Sequence, residues 1–111
     1  VIYTHRARKR LVKIDFKDHP GVRSSSEPYA SLLAGSVREL LTATWGLAET
    51  GAAGPTGNSY GDDAGHTCVA VAGPVTDVRT LETASSDREA NMWAFTDDAL
   101  DLLIDCLKRA P

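Results

Sequence analysis

Seven consecutive residues, His66-Thr67-Cys68-Val69-Ala70-Val71-Ala72, are apolar at nearly every position. That pattern marks a strand covered on both faces. Gly73-Pro74 makes a turn after it, and Val78 to Ala84 alternates apolar with polar residues (Val78, Leu81, Thr83), which predicts a neighbouring antiparallel strand. Thr44 to Ala48 is a further strand candidate, and Val1 to Thr4 reads as the end of another. Helical spacing shows elsewhere. Tyr29, Leu32, Leu33, Val37, Leu40 and Leu41 form one stripe over three turns. Ser26 is positioned as its N-cap, with Pro28 in the first turn. Ser86-Asp87-Arg88-Glu89 matches a capping box, after which Trp93, Leu100, Leu103, Ile104 and Leu107 predict the core face of a last helix running to about Lys108. His5 to Val12 reads as a short basic helix, and Asp15 to Ser25, with Pro20 and Gly21, as a loop.

Strands interleaved with amphipathic helices predict a layered α/β domain, and the turn at Gly73-Pro74 predicts a mixed sheet. The 111 residues suit one domain, residues 1–111, with a modest core. A strand that opens at Val1 predicts a domain whose beginning lies upstream, so the fold is expected to be incomplete at the N-terminus. No run of about 18 apolar residues offers a membrane span. No signal peptide is expected ahead of the fold.

Charge is unevenly spread. Residues 1–23 hold seven Lys and Arg against Asp15 and Asp18, a surplus of five; the net charge being −3, the remainder carries −8. The basic segment can attract a phosphate or present a solvated helix face. The acidic remainder, and the lack of aromatic platforms beside the basic residues, argue against a nucleic-acid partner. Cys68 and Cys106 sit in apolar settings, as free thiols do in a reduced compartment, so a cytoplasmic location is expected. His5, His19 and His66 lack a close Cys or His partner, and no metal or other cofactor is expected.

Five of the nine glycines fall between Gly51 and Gly65, in and after Thr50-Gly51-Ala52-Ala53-Gly54-Pro55-Thr56-Gly57. Glycine lets backbone approach a ligand and adopt positive φ, and successive bare N–H groups make an anion receptor. The same composition also serves an ordinary connection. In open sheets ligands sit beyond the carboxyl ends of strands, which is where Thr50 and this loop fall. Arg88 lies in the first turn of a predicted helix, against the dipole, so it calls for a partner: an anionic ligand or Asp87.

Three patches carry a resemblance. Tyr3-Thr4-His5-Arg6-Ala7-Arg8-Lys9-Arg10-Leu11-Val12 resembles the Tyr-Ser-Asn-Glu-Ala-Lys-Arg-Arg-Leu-Leu segment of the CinA C-terminal domain family (competence/damage-inducible protein). Glu49-Thr50-Gly51-Ala52-Ala53-Gly54-Pro55 is similar to its Thr/Ser-Gly-Ile-Ala-Gly-Pro loop, and Ser86-Asp87-Arg88 to its Gly-Asp-Arg. Ser85 to Met92 resembles eukaryotic-type members. The resemblance implies a three-layer α/β/α sandwich and, for active members, hydrolysis of the amide of nicotinamide mononucleotide to nicotinic acid mononucleotide and ammonia. It implies catalytic roles for Tyr3 and Thr50. Arg8, Gly51, Ala53, Gly54, Pro55 and Arg88 would bind substrate, and the chains would self-associate as a homo-oligomer. The family's upstream Glu-Ser-Cys-Thr-Gly-Gly motif has no counterpart in this sequence.

A serine nucleophile needs a base, which a desolvated lysine can be and an arginine cannot. This chain has Arg8 at the family's lysine position. Lys9 lies about 100° further round the helix and is expected to face elsewhere. Arg8 can instead hold a phosphate or carboxylate by its planar fork, or be an exposed helix charge. Two functions follow: an amidohydrolase-like domain for a pyridine mononucleotide, or a pseudoenzyme that binds a nucleotide or partner without hydrolysis. Tyr3, Thr50 and Arg88 are expected on the rim of one hollow.

Overall fold

The computed structural model describes Val1–Pro111. Its elements are α1 (His5–Leu11), α2 (Glu27–Leu40), β1 (Gly46–Ala52), β2 (His66–Ala72), β3 (Asp77–Glu82) and α3 (Arg88–Arg109), with a single 3-10 turn at Phe16–Asp18. Ser26 caps α2, its side chain accepting from the Tyr29 N–H, as its position predicted. The α3 cap is Asp87, which accepts from Ala90, in place of the expected Ser86.

The sheet has the order β1-β2-β3 and is antiparallel throughout, so the expected mixed sheet is not found. β2 is the centre. Its residues His66 to Val71 are all buried, as its unbroken apolar run predicted. Alternation divides them between two helices. Cys68 and Ala70 face Ala30 and Ala34 of α2, while Val69 and Val71 face Ala99, Leu102 and Cys106 of α3. The result is three layers, helix on sheet on helix. A third cluster, Val12, Ile14 and Tyr29, ties the segment after α1 to α2.

Three expectations are corrected. Val1 to Thr4 forms no strand, and Tyr3 is 92% exposed. β1 starts later and runs further than Thr44 to Ala48, so Thr50 and Gly51 are strand residues, paired with Cys68 and Thr67. The core face of α3 is also different. Trp93, Leu100, Ile104 and Leu107 are exposed and Leu103 is partly buried, while Phe95, Ala99, Leu102 and Cys106 point inward. On α2, Tyr29 is buried as expected, together with Ala30 and Ala34, while Leu40 and the C-cap residue Leu41 are exposed. On α2 small side chains face the sheet because that helix lies close to it. A Cβ on Gly46 would stand 2.1 Å from the carbonyl oxygen of Ala34.

This assignment of faces predicts opposite outcomes for two apolar residues on α3. Leu102→Ala should cost about 2–5 kcal/mol of unfolding free energy, and Trp93→Ala within about 0.5 kcal/mol of none. Urea unfolding followed by circular dichroism measures both, and a larger loss at Trp93 would reverse the assignment.

Candidate functional site

β1 is paired on one side only, and a hollow of about 860 Å³ is lined by this strand, the loop after it and α3. Small-molecule sites occupy about 300–1,000 Å³. Leu47, Glu49 and Gly51 line it from the strand, Ala53 and Gly54 from the loop, and Phe95 and Ala99 from the helix. Tyr3 and Arg88 complete its rim.

The loop is shaped from α3. Gly54 has φ +109°, where a side chain is strained, and a Cβ there would meet Ser86 and Ala64 at 3.1 and 3.2 Å. Arg88 Nη1 donates to the Gly54 carbonyl at 2.7 Å, and Asn91 Nδ2 donates to the Ala53 carbonyl at 2.8 Å. Asn91 is itself buried and also donates to the Ser85 carbonyl. These carbonyls are thus turned towards the helix. The N–H groups of Gly54, Thr56 and Gly57 have no acceptor within the chain, the bare-donor arrangement that suits an anion. The partner that Arg88 called for is a loop carbonyl.

Thr50 lies on the opposite face of the sheet. Its hydroxyl accepts the Ser25 N–H at 3.0 Å. Ser25, at φ +57°, gives its carbonyl to His66 Nε2 at 2.7 Å. The other ring nitrogen of His66 faces the Glu82 carboxylate, and Asp62 lies 3.6 Å from Nε2. An acceptor at each nitrogen favours the doubly protonated ring. Burial opposes that charge, but Glu82, the Ser25 carbonyl and Asp62 together outweigh it and raise the pKa above its ordinary 6.5. Asp62 is held below the usual carboxylate range, chiefly by the two-pronged bond from Arg23 at 2.7 and 3.2 Å. Burial pushes the Cys68 thiol up, which leaves it a poor nucleophile.

Arg8 is also on that side. It is only 6% exposed, with its guanidinium 3.6 Å above the Phe16 ring and 5.5 Å from Tyr29. It bonds to His5 and, at 3.5 Å, to Ser24, and its Nε has no partner. The reading of Arg8 as an exposed helix charge is therefore wrong. Lys9 faces elsewhere, as expected, and pairs with Asp15 at 3.2 Å.

Of the residues singled out by sequence, Tyr3, Gly51, Ala53, Gly54 and Arg88 meet at one hollow, while Thr50, Arg8 and Pro55 do not line it. The expected common rim for Tyr3, Thr50 and Arg88 fails for Thr50, because adjacent strand residues point to opposite faces. Glu49, Asn91 and His66 were missed as site residues. A carboxylate in a strand next to a glycine loop was the available signal for Glu49.

The family model of the CinA C-terminal domain matches residues 1–107. The chain belongs to the CinA C-terminal domain family. A CinA-like protein of Gloeobacter violaceus is 35% identical over 109 residues, 93% of this chain and 25% of that protein. One from an Anaeromyxobacter species is 44% identical over 80 residues, 70% of this chain and 19% of that protein. The chain thus spans about a quarter of the length of the curated relatives it matches. Among solved structures, the competence damage-inducible protein A of Klebsiella pneumoniae superposes with a TM-score of 0.88 at 21% identity, covering 98% of this chain and 68% of that one. A CinA superfamily protein of Escherichia coli gives 0.84 at 23%, covering 94% and 60%. These likenesses establish the CinA fold for the three layers described above.

The His66 clamp sets a pH dependence. Its folded pKa lies above the unfolded one, so its contribution is fully present below about pH 6.5 and is lost as pH rises through the folded value. The stability difference between wild type and His66→Gln should therefore shrink between pH 6 and pH 9. Urea midpoints across that range measure it, and a difference that grows with pH would be the wrong sign.

Proposed function

We propose that this CinA domain acts on a pyridine mononucleotide, as a nicotinamide mononucleotide amidohydrolase-like domain in a cytoplasmic protein. The reaction is C–N amide hydrolysis, giving nicotinic acid mononucleotide and ammonia. The observation that carries the reading is the hollow beside β1, which is lined both by Gly54, Thr56 and Gly57, whose N–H groups have no acceptor in the chain, and by Arg88. N–H donors and a guanidinium suit the phosphate, and the Phe95 side offers apolar surface to the ring. Tyr3, on the rim and exposed, is free to reach a bound amide.

A second reading has its own observation. Arg8, at the family's lysine position, is buried against Phe16 and does not line the hollow. A domain without that base binds the mononucleotide and leaves it intact. We also infer self-association, since Trp93, Ile104 and Leu107 are exposed and the β1 edge is unpaired. A native mass equal to one chain would remove that inference.

Incubating the full-length protein with nicotinamide mononucleotide should release ammonia above background, and Arg88→Ala should weaken mononucleotide binding about tenfold, ~1.4 kcal/mol. Binding by calorimetry without ammonia selects the second reading. Absence of both rejects the mononucleotide as ligand.

A further inference from the structure

Only two of the side chains lining the hollow carry a full charge, Glu49 and Arg88. Neither takes part in any of the chain's ion pairs, which join Lys9 to Asp15, Arg23 and His66 to Asp62, His66 to Glu82, Arg79 to Asp98, and Arg109 to Asp77. The hollow therefore has an unneutralised negative group and an unneutralised positive group at separate places on its wall. Arg88 sits at the loop end, bonded to the Gly54 carbonyl. Glu49 sits on β1, on the face it shares with Leu47 and Gly51.

Glu49 is oriented. The hydroxyl of Thr67, a fully buried residue of the neighbouring strand, donates to its Oε1 at 2.6 Å. One carboxylate oxygen is fixed in this way, and the other is left for a ligand. The Thr67 hydroxyl also lies 3.3 Å from the Thr50 carbonyl, so its bond to Glu49 both satisfies the hydroxyl and orients this solvent-exposed carboxylate.

Resting on the mononucleotide reading of the hollow, we propose that Glu49 determines specificity by pairing with the positive charge of the pyridinium ring. The ligand class this selects is cationic at one end and anionic at the other. The phosphate meets Arg88 and the loop N–H groups, and the ring nitrogen's charge meets Glu49. A ring of the same shape without the charge gains nothing from Glu49. Held beside the ring, the carboxylate acts as a positioning group, and no step of bond breaking passes through it.

The test compares two ligands that differ in ring charge. Nicotinamide mononucleotide has a cationic pyridinium; its reduced form has a neutral dihydropyridine on the same ribose phosphate. Calorimetry on the full-length protein should show the oxidised form bound about fivefold more tightly, the size of a partly screened ion contact. Glu49→Gln keeps an acceptor for Thr67 and removes only the charge, so it should erase the preference while leaving ribose 5-phosphate binding unchanged. Thr67→Val, which frees the carboxylate, should reduce the preference in part. Equal affinity of the wild type for both forms, or a preference that survives in Glu49→Gln, overturns the role of Glu49 alone. If neither form binds, the mononucleotide reading falls and this inference falls with it.

Discussion

The central strand β2 governs the rest of the structure. It is hydrogen-bonded on both sides and packed on both faces, and from His66 to Val71 every residue is buried. A strand in that position needs apolar or internally satisfied side chains on each face. Four of the six meet the demand with carbon and sulfur. Thr67 and His66 meet it with partners, Glu49 on one face and Glu82 with the Ser25 carbonyl on the other. The two polar neighbourhoods of the molecule are thus anchored to the same strand, one residue apart, and the pleat sends them to opposite sides.

That pleat explains what sequence could and could not show. The β2 boundaries were legible because continuous burial fits a run in which five successive residues, Cys68 to Ala72, are apolar. The α2 cap was legible because Ser26 and Pro28 act locally. The buried faces of the helices were not. Both helices carry large apolar residues on more than one side, and the choice between sides depends on how close the helix lies to the sheet. At Gly46, which leaves no room for a Cβ beneath Ala34, closeness wins, and alanines rather than leucines face inward. The end of β1 was hidden for a related reason. Glycine and alanine have low strand propensity, yet Thr50 to Ala52 are held in register by β2. The site was read as a set of neighbours along the chain, whereas strand alternation splits Thr50 from Gly51.

The loop after β1 shows how composition becomes geometry. Its glycines supply freedom, and freedom alone gives a disordered connection rather than a receptor. Order comes from α3, where Arg88 and Asn91 take the carbonyls of Gly54 and Ala53. Asn91 is buried and bonded to the carbonyls of Ala53 and Ser85, so it fixes the loop and the start of the helix together. Arg88 in the first turn opposes the helix dipole, at a cost of about 0.3–1 kcal/mol. A charge-assisted bond to a carbonyl offsets that cost and leaves the remaining guanidinium donors available to an anion.

Arg8 marks the limit of what resemblance transfers. At the position of the family's lysine it does not reproduce a lysine's chemistry, and its surroundings suit a guanidinium. A flat cation stacks on the Phe16 ring, an arrangement that contributes roughly 0.5–2 kcal/mol. A lysine there would keep part of the ring contact but lose the forked contacts to His5 and Ser24. The residue has thus been fitted into the packing between α1 and α2, where it joins Phe16 and Tyr29 to the Ser24–Ser26 turn. Proton transfer at a bound amide cannot be assigned to a group so placed. Among the side chains that do line the hollow, only Glu49 is a carboxylate, and the role proposed for it is to position a ligand rather than to move a proton.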